Sequence, residues 1–286
     1  MFNKKVDMNR FSQILAIIII INGFTLTLNA TPIDLYLLAG QSNMSGRVNT
    51  GFTANPSVDN DILYYYRSDG PPSNNQNSGS NFLTLAPLDT GYYGPEISMA
   101  RTIHSQSANK IAIVKISDGG TALSGPWNSR TNGVWWSNWK NDTTDALKDL
   151  ITLGYTPALK GICWLQGESD ADNLAESNDY ETNFSNLVHD MFTHIGTTID
   201  VSKAKYVTAQ IGRLSSSFPY ATTVRLAQSK VMDSHSNWHH FSTLDLSTHD
   251  SVHFDVESVA TIGSRFAKAL LSSSSMALSK VPTGQN

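Results

Sequence analysis

The feature that most constrains this chain is an alternation: short β-rich apolar runs recur along it, separated by longer amphipathic or polar stretches. Five runs qualify as strands: Ile33 to Ala39, Ile111 to Ser117, Leu159 to Leu165, Tyr206 to Ile211 and Phe241 to Leu246. Between and after them, Pro95 to Ser105, Trp139 to Leu153, Tyr180 to Ile195, Tyr220 to Ser234 and Ser258 to Leu271 space their apolar residues as helices do. Pro95 suits a first helical turn, where its missing N–H has no partner to lose. Strands alternating with helices of this length predict crossover connections and a parallel sheet covered by helices. The stretch from Asn49 to Gly94 breaks the pattern, being rich in Asn, Ser, Gly and Pro, with Pro71 to Ser80 at its centre. It reads as a long surface insertion, either functional or merely tolerated.

The two ends of the chain differ from its middle. Residues 1–30 run from Lys4, Lys5 and Arg10 through an apolar stretch, Ile14 to about Leu28, to Ala30 before Thr31, which is the order of a secretory signal. The apolar stretch is broken by Asn22 and Gly23 and falls short of the ~20 residues that span a bilayer. Cleavage near Ala30 and a secreted or periplasmic protein with no stable membrane span are therefore expected, an uncleaved anchor being the alternative. About 256 of the 286 residues then remain, enough for one α/β domain over 31–272. The residues beyond it, 273–286, are expected to fray. A net charge of -4 with only 15% charged residues leaves no basic face for nucleic acid. The single cysteine, Cys163, lies in an apolar run and reads as a small core residue.

In an open parallel sheet, ligands bind beyond the carboxyl ends of the strands. Four unusual segments fall there: Gly40-Gln41-Ser42-Asn43-Met44, Asp118-Gly119-Gly120-Thr121, Gln166-Gly167-Glu168-Ser169-Asp170, and Ser247 to Asp255. A serine becomes a nucleophile only when a base takes its proton and a third group orients that base. Asp250 and His253, three positions apart, can supply both to Ser42. His249 is the rival base, and Asp245 reads as a structural acceptor. Donors for an oxyanion are available from the backbone of Ser42, the backbone of Gly120 and the side-chain amide of Gln166; the glycines at 119 and 120 serve equally well as a tight turn. His235, His239 and His240 have the spacing of a helix face, but no carboxylate or cysteine completes a ligand set, so they read as polar surface histidines. This chemistry calls for no metal and no other cofactor. Trp127, Trp135, Trp136 and Trp139, like Tyr92 and Tyr93, are either core residues or rings for the apolar face of a sugar. The Gly-x-Ser-x-Gly elbow of common lipases is absent, because Met44 takes the second glycine position.

The blocks around Ser42, Gly94-Pro95-Glu96, Gly119-Gly120-Thr121, Trp164 to Asp170, and Asp250 to Asp255 resemble the SGNH hydrolases. Within these they are similar to the sialate O-acetylesterase and acetylxylan esterase branch, carbohydrate esterase family six. The resemblance runs in order from about residue 34 to 270. It implies a three-layer α/β/α sandwich with a five-stranded parallel sheet, Ser42 as nucleophile, and Asp250 and His253 completing the triad. It also implies an oxyanion hole of Ser42, Gly120 and Gln166, the last standing where most SGNH enzymes carry asparagine. Glu168 is expected to orient loops near Ser42, and Gln41, Asn43 and Glu96 to lie near the site. The implied partner is an acetylated carbohydrate. A non-catalytic carbohydrate-binding protein and a lipid or thioester hydrolase on the same fold are the alternatives, the latter disfavoured by the lack of a long apolar lid.

Overall fold

The computed structural model describes residues 18–21, 24–27, 30–70, 73–79, 81–213 and 215–272. Most of the expected export signal and all of the expected frayed tail lie outside the described residues. The chain divides into two units, residues 1–31 and 32–286. In the first, β1 (Ile18–Ile21) pairs antiparallel with β2 (Phe24–Thr27).

The second unit is built on an eight-stranded sheet. Its strands are β3 (Thr31–Gly40), β4 (Ile62–Gly70), β5 (Ser73–Asn77), β6 (Leu83–Thr84), β7 (Lys110–Ser117), β8 (Tyr155–Leu165), β9 (Lys205–Ala209) and β10 (Trp238–Phe241). They lie in the order β10-β9-β8-β3-β7-β4-β5, with β6 also on β4. The pairs β10/β9, β9/β8, β3/β7 and β7/β4 are parallel, whereas β5 and β6 run antiparallel to β4. The helices are α1 (Ser42–Ser45), α2 (Pro56–Asp59), α3 (Glu96–His104), α4 (Val134–Thr152), α5 (Leu174–Gly196), α6 (Ala221–Met232) and α7 (Val256–Leu271).

Side chains alternate across a strand, and here both faces are apolar because both are covered. Ile33, Leu35, Leu37 and Ala39 of β3 join Ala112, Val114 and Ile116 of β7 in a core shared with α4, α5 and α6. Tyr36, Leu38, Ile111 and Ile113 face the other way, into a core shared with α3 and α7. Three layers result. Cys163 belongs to the second core, fully buried, and burial pushes its thiol well above the ordinary range.

The structure corrects the sequence reading at three places in the fold. The sheet has eight strands rather than five, and the extra three all come from the region taken for a structureless insertion. Ile62, Tyr64, Tyr65 and Tyr66 of β4 are buried against both cores, a β-branched and aromatic run hidden by its polar surroundings. The last strand is Trp238–Phe241 rather than Phe241 to Leu246. Beyond Phe241 the chain leaves the sheet because Arg265 of α7 draws in the Ser242 carbonyl and the Asp245 carboxylate. His239 and His240 are therefore consecutive strand residues on opposite faces, and His235 stacks on Trp238, so no shared helix face arises. Finally, α4 begins at Val134 rather than Trp139, its first turn tied back by the Pro126 carbonyl, which accepts from Trp135 and Trp136.

One ion pair anchors the turn after β3. Lys115 of β7 and Glu96 of α3 meet at 2.8 Å with no exposure of either side chain, and Lys115 Nζ also donates to the Ser45 carbonyl at 3.0 Å. Glu96 accepts further from the Gly94 N–H, so both charges are hydrogen-bonded. Removing one member of such a pair strands the other in a dry interior. Lys115→Met should lower the unfolding free energy by about 3–5 kcal/mol in denaturant titrations, and Lys115→Met combined with Glu96→Leu should recover most of that loss.

Candidate active site

Parallel pairing sets Gly40, Ser117 and Ser68 side by side at the carboxyl ends of β3, β7 and β4. The residues that follow them, Gln41 and Ser42, Asp118 and Gly119, and Asp69, consequently meet at one edge of the sheet. Ser42 opens the single turn α1, so its backbone N–H has no acceptor within that helix. The residue is 5% exposed. The turn is held from behind by Gln41, whose N–H donates to the Leu165 carbonyl at 3.0 Å. Gln41 Oε1 accepts from the Gly167 and Ser169 N–H groups, each at 3.3 Å.

Across this turn stands the loop between β10 and α7. His253 Nε2 lies 3.1 Å from Ser42 Oγ, and His253 Nδ1 lies 2.7 Å from Asp250 Oδ2. Asp250 Oδ1 accepts from the backbone N–H groups of Val252 and His253 at 2.7 and 2.6 Å, an arrangement that Asp-x-x-His spacing produces at a turn. Burial acts to raise the Asp250 carboxyl, but the His253 N–H, the His253 ring and the Val252 N–H outweigh it and hold the group at about 2. A charged Asp250 keeps the proton on Nδ1 and leaves Nε2 to accept from the serine hydroxyl. His249 is placed differently. Its ring stacks 6.1 Å from that of His253, its Nδ1 is 3.9 Å from Asp250, and its backbone N–H donates to the His253 carbonyl.

The third side of the site is the turn after β7. A Cβ on Gly119 would press on Arg47 Nη2, come within 2.7 Å of Asp69 Oδ2 and lie 3.5 Å from Ser42 Cβ, so a side chain there would displace the Arg47–Asp69 pair. Gly120 has φ +67 and open space beside it, and it turns the chain across the mouth of the site. Gln166 corrects the sequence reading. It is fully buried, and its two amide hydrogens are committed to the Thr121 carbonyl at 3.0 Å and to Asp170 Oδ2 at 2.6 Å. No N–H of its side chain is left for an oxyanion. Instead Gln166 and Asp170 pin the turn that carries Gly120, since Asp170 also accepts from the Leu123 and Ser124 N–H groups. Burial raises the Asp170 carboxyl to about 6 against the pull of those donors. Glu168, next along, is buried, and Asn43 Nδ2 donates to its Oε1 at 2.6 Å.

The tryptophans pack beneath the turn after β7. Trp127, Trp135, Trp136 and Trp139 are all buried, pack on one another, and form part of the core under α4. They offer no platform to a sugar. Tyr93 is buried too, with its hydroxyl on the Thr50 carbonyl, while Tyr92 is half-buried.

Sequence reasoning missed Arg47, Asp69 and the role of Asp118. Arg47 pairs with Asp69 and also donates to the Gly46 carbonyl, beside Gly119. The signal was present in the run Ile62 to Tyr66: recognising it as a strand places Asp69 at the ligand edge by the rule that located Ser42. Asp118 is half-buried, and its carboxyl is raised to about 6 by burial and by the Asp69 charge, against donation from Trp135, the Arg47 charge and the Gly119 N–H.

The fold is an α/β/α sandwich of the SGNH kind, with its first and last loops meeting at the carboxyl edge of the sheet. The chain belongs to the carbohydrate esterase family described as sialic acid-specific acetylesterases, whose model matches residues 32–272, and it is a carboxylic ester hydrolase. No curated protein matches it. Among solved structures it is similar to a protein from Arabidopsis thaliana, with TM-score 0.66, 20% identity, and coverage of 84% of this chain and 98% of that one. It is also similar to NanS, with TM-score 0.60, 16% identity, and coverage of 85% and 98%. A third structure, a carbohydrate acetylesterase from Xanthomonas citri, gives TM-score 0.60 and 16% identity over 82% of this chain, which spans only 55% of that enzyme. At these identities the likeness is one of fold.

The carboxyl of Asp118 gives the stability a definite pH dependence. In the folded protein it keeps its proton up to about pH 6, whereas the unfolded chain releases it near the ordinary value of 3.8. Between those values the unfolded state binds fewer protons, so stability falls as pH rises through the window and is level above it. Asp118→Asn should reduce the drop in melting temperature between about pH 4 and pH 6.5. Asp170 and Glu168, whose carboxyls burial also raises, add to the slope that remains, and carboxyls held low, such as Asp245 and Asp250, oppose it.

Proposed function

We propose that this chain is a serine esterase that removes O-acetyl groups from a carbohydrate through an acetyl-Ser42 intermediate. The observation that carries the reading is the pair of hydrogen bonds from Ser42 Oγ to His253 Nε2 at 3.1 Å and from His253 Nδ1 to Asp250 at 2.7 Å. In the first step Ser42 Oγ attacks the ester carbonyl as its proton passes to Nε2. The tetrahedral intermediate collapses when His253 returns that proton to the sugar oxygen, which leaves as a free hydroxyl. Water then enters, gives a proton to Nε2 and attacks the acetyl carbonyl, and acetate departs as the proton returns to Ser42. Asp250 stays charged throughout and stabilises the imidazolium.

The developing oxyanion is met by the N–H groups of Ser42 and Gly120. Gln166 acts further out, fixing the Thr121 carbonyl and so the end of the turn that follows Gly120. His253 and Asp250 are partly open to solvent, which leaves room for the bulk of a glycan outside the acyl position. Membership in the carbohydrate esterase family supports a sugar ester as substrate, sialic acid or an acetylated polysaccharide such as xylan. The burial of all four tryptophans weighs against a protein that only binds sugars. The basic, apolar and small-residue order of positions 1–30 supports export.

Hydrolysis of p-nitrophenyl acetate tests the assignment. Ser42→Ala and His253→Ala should each lower kcat/KM by roughly 10⁴–10⁶-fold while leaving the circular-dichroism spectrum unchanged. Undiminished turnover in either variant would remove the mechanism. Faster turnover of the octanoyl ester than of the acetyl ester would move the protein to lipid or thioester substrates.

A further inference from the structure

The base of this site stands on an exposed loop, whereas its nucleophile is locked in a buried turn. Among the described residues, the only hydrogen bonds from 248–254 to another element are those made to Ser42 and to Asn43. Asn43 Nδ2 donates to the Val252 carbonyl at 3.1 Å, and Asn43 Oδ1 accepts from the Phe254 N–H at 3.1 Å. Val252 and Phe254 flank His253, so one side-chain amide grips the backbone on both sides of the base. The second Nδ2 hydrogen goes to Glu168 Oε1 at 2.6 Å, and Asn43 is 3% exposed, so water does not compete for these bonds. A separation of 211 positions between Asn43 and Phe254 is thereby closed one residue away from Ser42.

We infer that Asn43 is a positioning residue that sets the His253 imidazole at Ser42 Oγ, its grip on Val252 and Phe254 governing turnover while Glu168 aims the amide. This rests on the esterase reading of the same site. Neither Asn43 nor Glu168 exchanges a proton with substrate in this scheme. The effect falls on kcat, because a displaced imidazole loses the near-attack geometry without altering how the ester is bound.

The amide's bond to Glu168 and its bond to the Val252 carbonyl can be separated by substitution. Asn43→Asp keeps an acceptor for the Phe254 N–H but turns a carboxylate oxygen toward both Glu168 and the Val252 carbonyl. Adding Glu168→Gln supplies a donor to the carboxylate introduced at position 43 and restores the link to the loop after β8, yet the Val252 carbonyl still faces an oxygen. For p-nitrophenyl acetate we expect N43D to lower kcat by about 10²-fold with KM changed by less than about 3-fold, and to lower the melting temperature. N43D/E168Q should regain the melting temperature but not kcat.

A proton spectrum without substrate reads the same geometry. The downfield His253 Nδ1–H resonance, assigned by its loss in His253→Ala, should be present in the wild type and broadened or lost in N43D/E168Q. Recovery of kcat together with stability in N43D/E168Q would overturn the proposal, as would wild-type kcat in N43D. If N43D does not fold, Asn43→Ala, which removes the same grip without adding charge, carries the same expectation and the same refutation. If the wild type hydrolyses no acetyl ester, the functional reading fails by itself, and an unchanged Nδ1–H resonance in N43D/E168Q would then overturn the positioning role separately.

Discussion

Parallel hydrogen bonding between β3, β7 and β4 brings Gly40, Ser117 and Ser68 into one row, and every part of the site depends on that row. In a parallel sheet each strand must return to the same end before it can pair, so the loops that leave the carboxyl ends crowd together however far apart they are in the chain. Three of them meet around Ser42. The loop after β8 packs behind them, the one with Asp250 and His253 arrives from the end of β10, and a few specific bonds hold it against the others.

Those bonds are mostly made by polar groups with little access to water. Asn43, Gln41, Gln166, Glu168 and Asp170 are buried behind the reacting atoms, each engaged with backbone or with another of the set. A buried amide that lost its partner would cost on the order of 1–3 kcal/mol, so the network has one favoured arrangement and the loops inherit it. The serine turn is thus fixed from below by the Lys115–Glu96 pair and from the side by Gln41. Ser42, Asp250 and His253 owe their places to this frame. Their neighbours do the placing.

Much of this was legible along the chain. The apolar alternation located strands β3, β7, β8 and β9 to within a few residues, since runs such as Ile111 to Ser117 are stable only between two covered faces. Asp250 and His253 were recognisable because three-residue spacing brings a carboxylate and an imidazole together within one turn, a local geometry. Strand β4 was obscured because composition averages over a window, and a short apolar run among asparagines and serines does not stand out in an average. Gln166 was misjudged for another reason. Its type and position announce a donor, but whether its hydrogens are free depends on Thr121 and Asp170, and Thr121 is 45 positions away.

The sequence by itself determined the class of fold and which residue types stand at the ligand edge of the sheet, because periodicity, strand-end position and a short Asp-x-x-His spacing are properties of neighbouring residues. Tertiary structure alone decided where the Gln166 amide hydrogens go, that the tryptophans belong to the core, and how His253 is held to Ser42. Each of those turns on a hydrogen bond or a packing contact between distant segments, and such contacts exist only once the sheet has set the loops side by side.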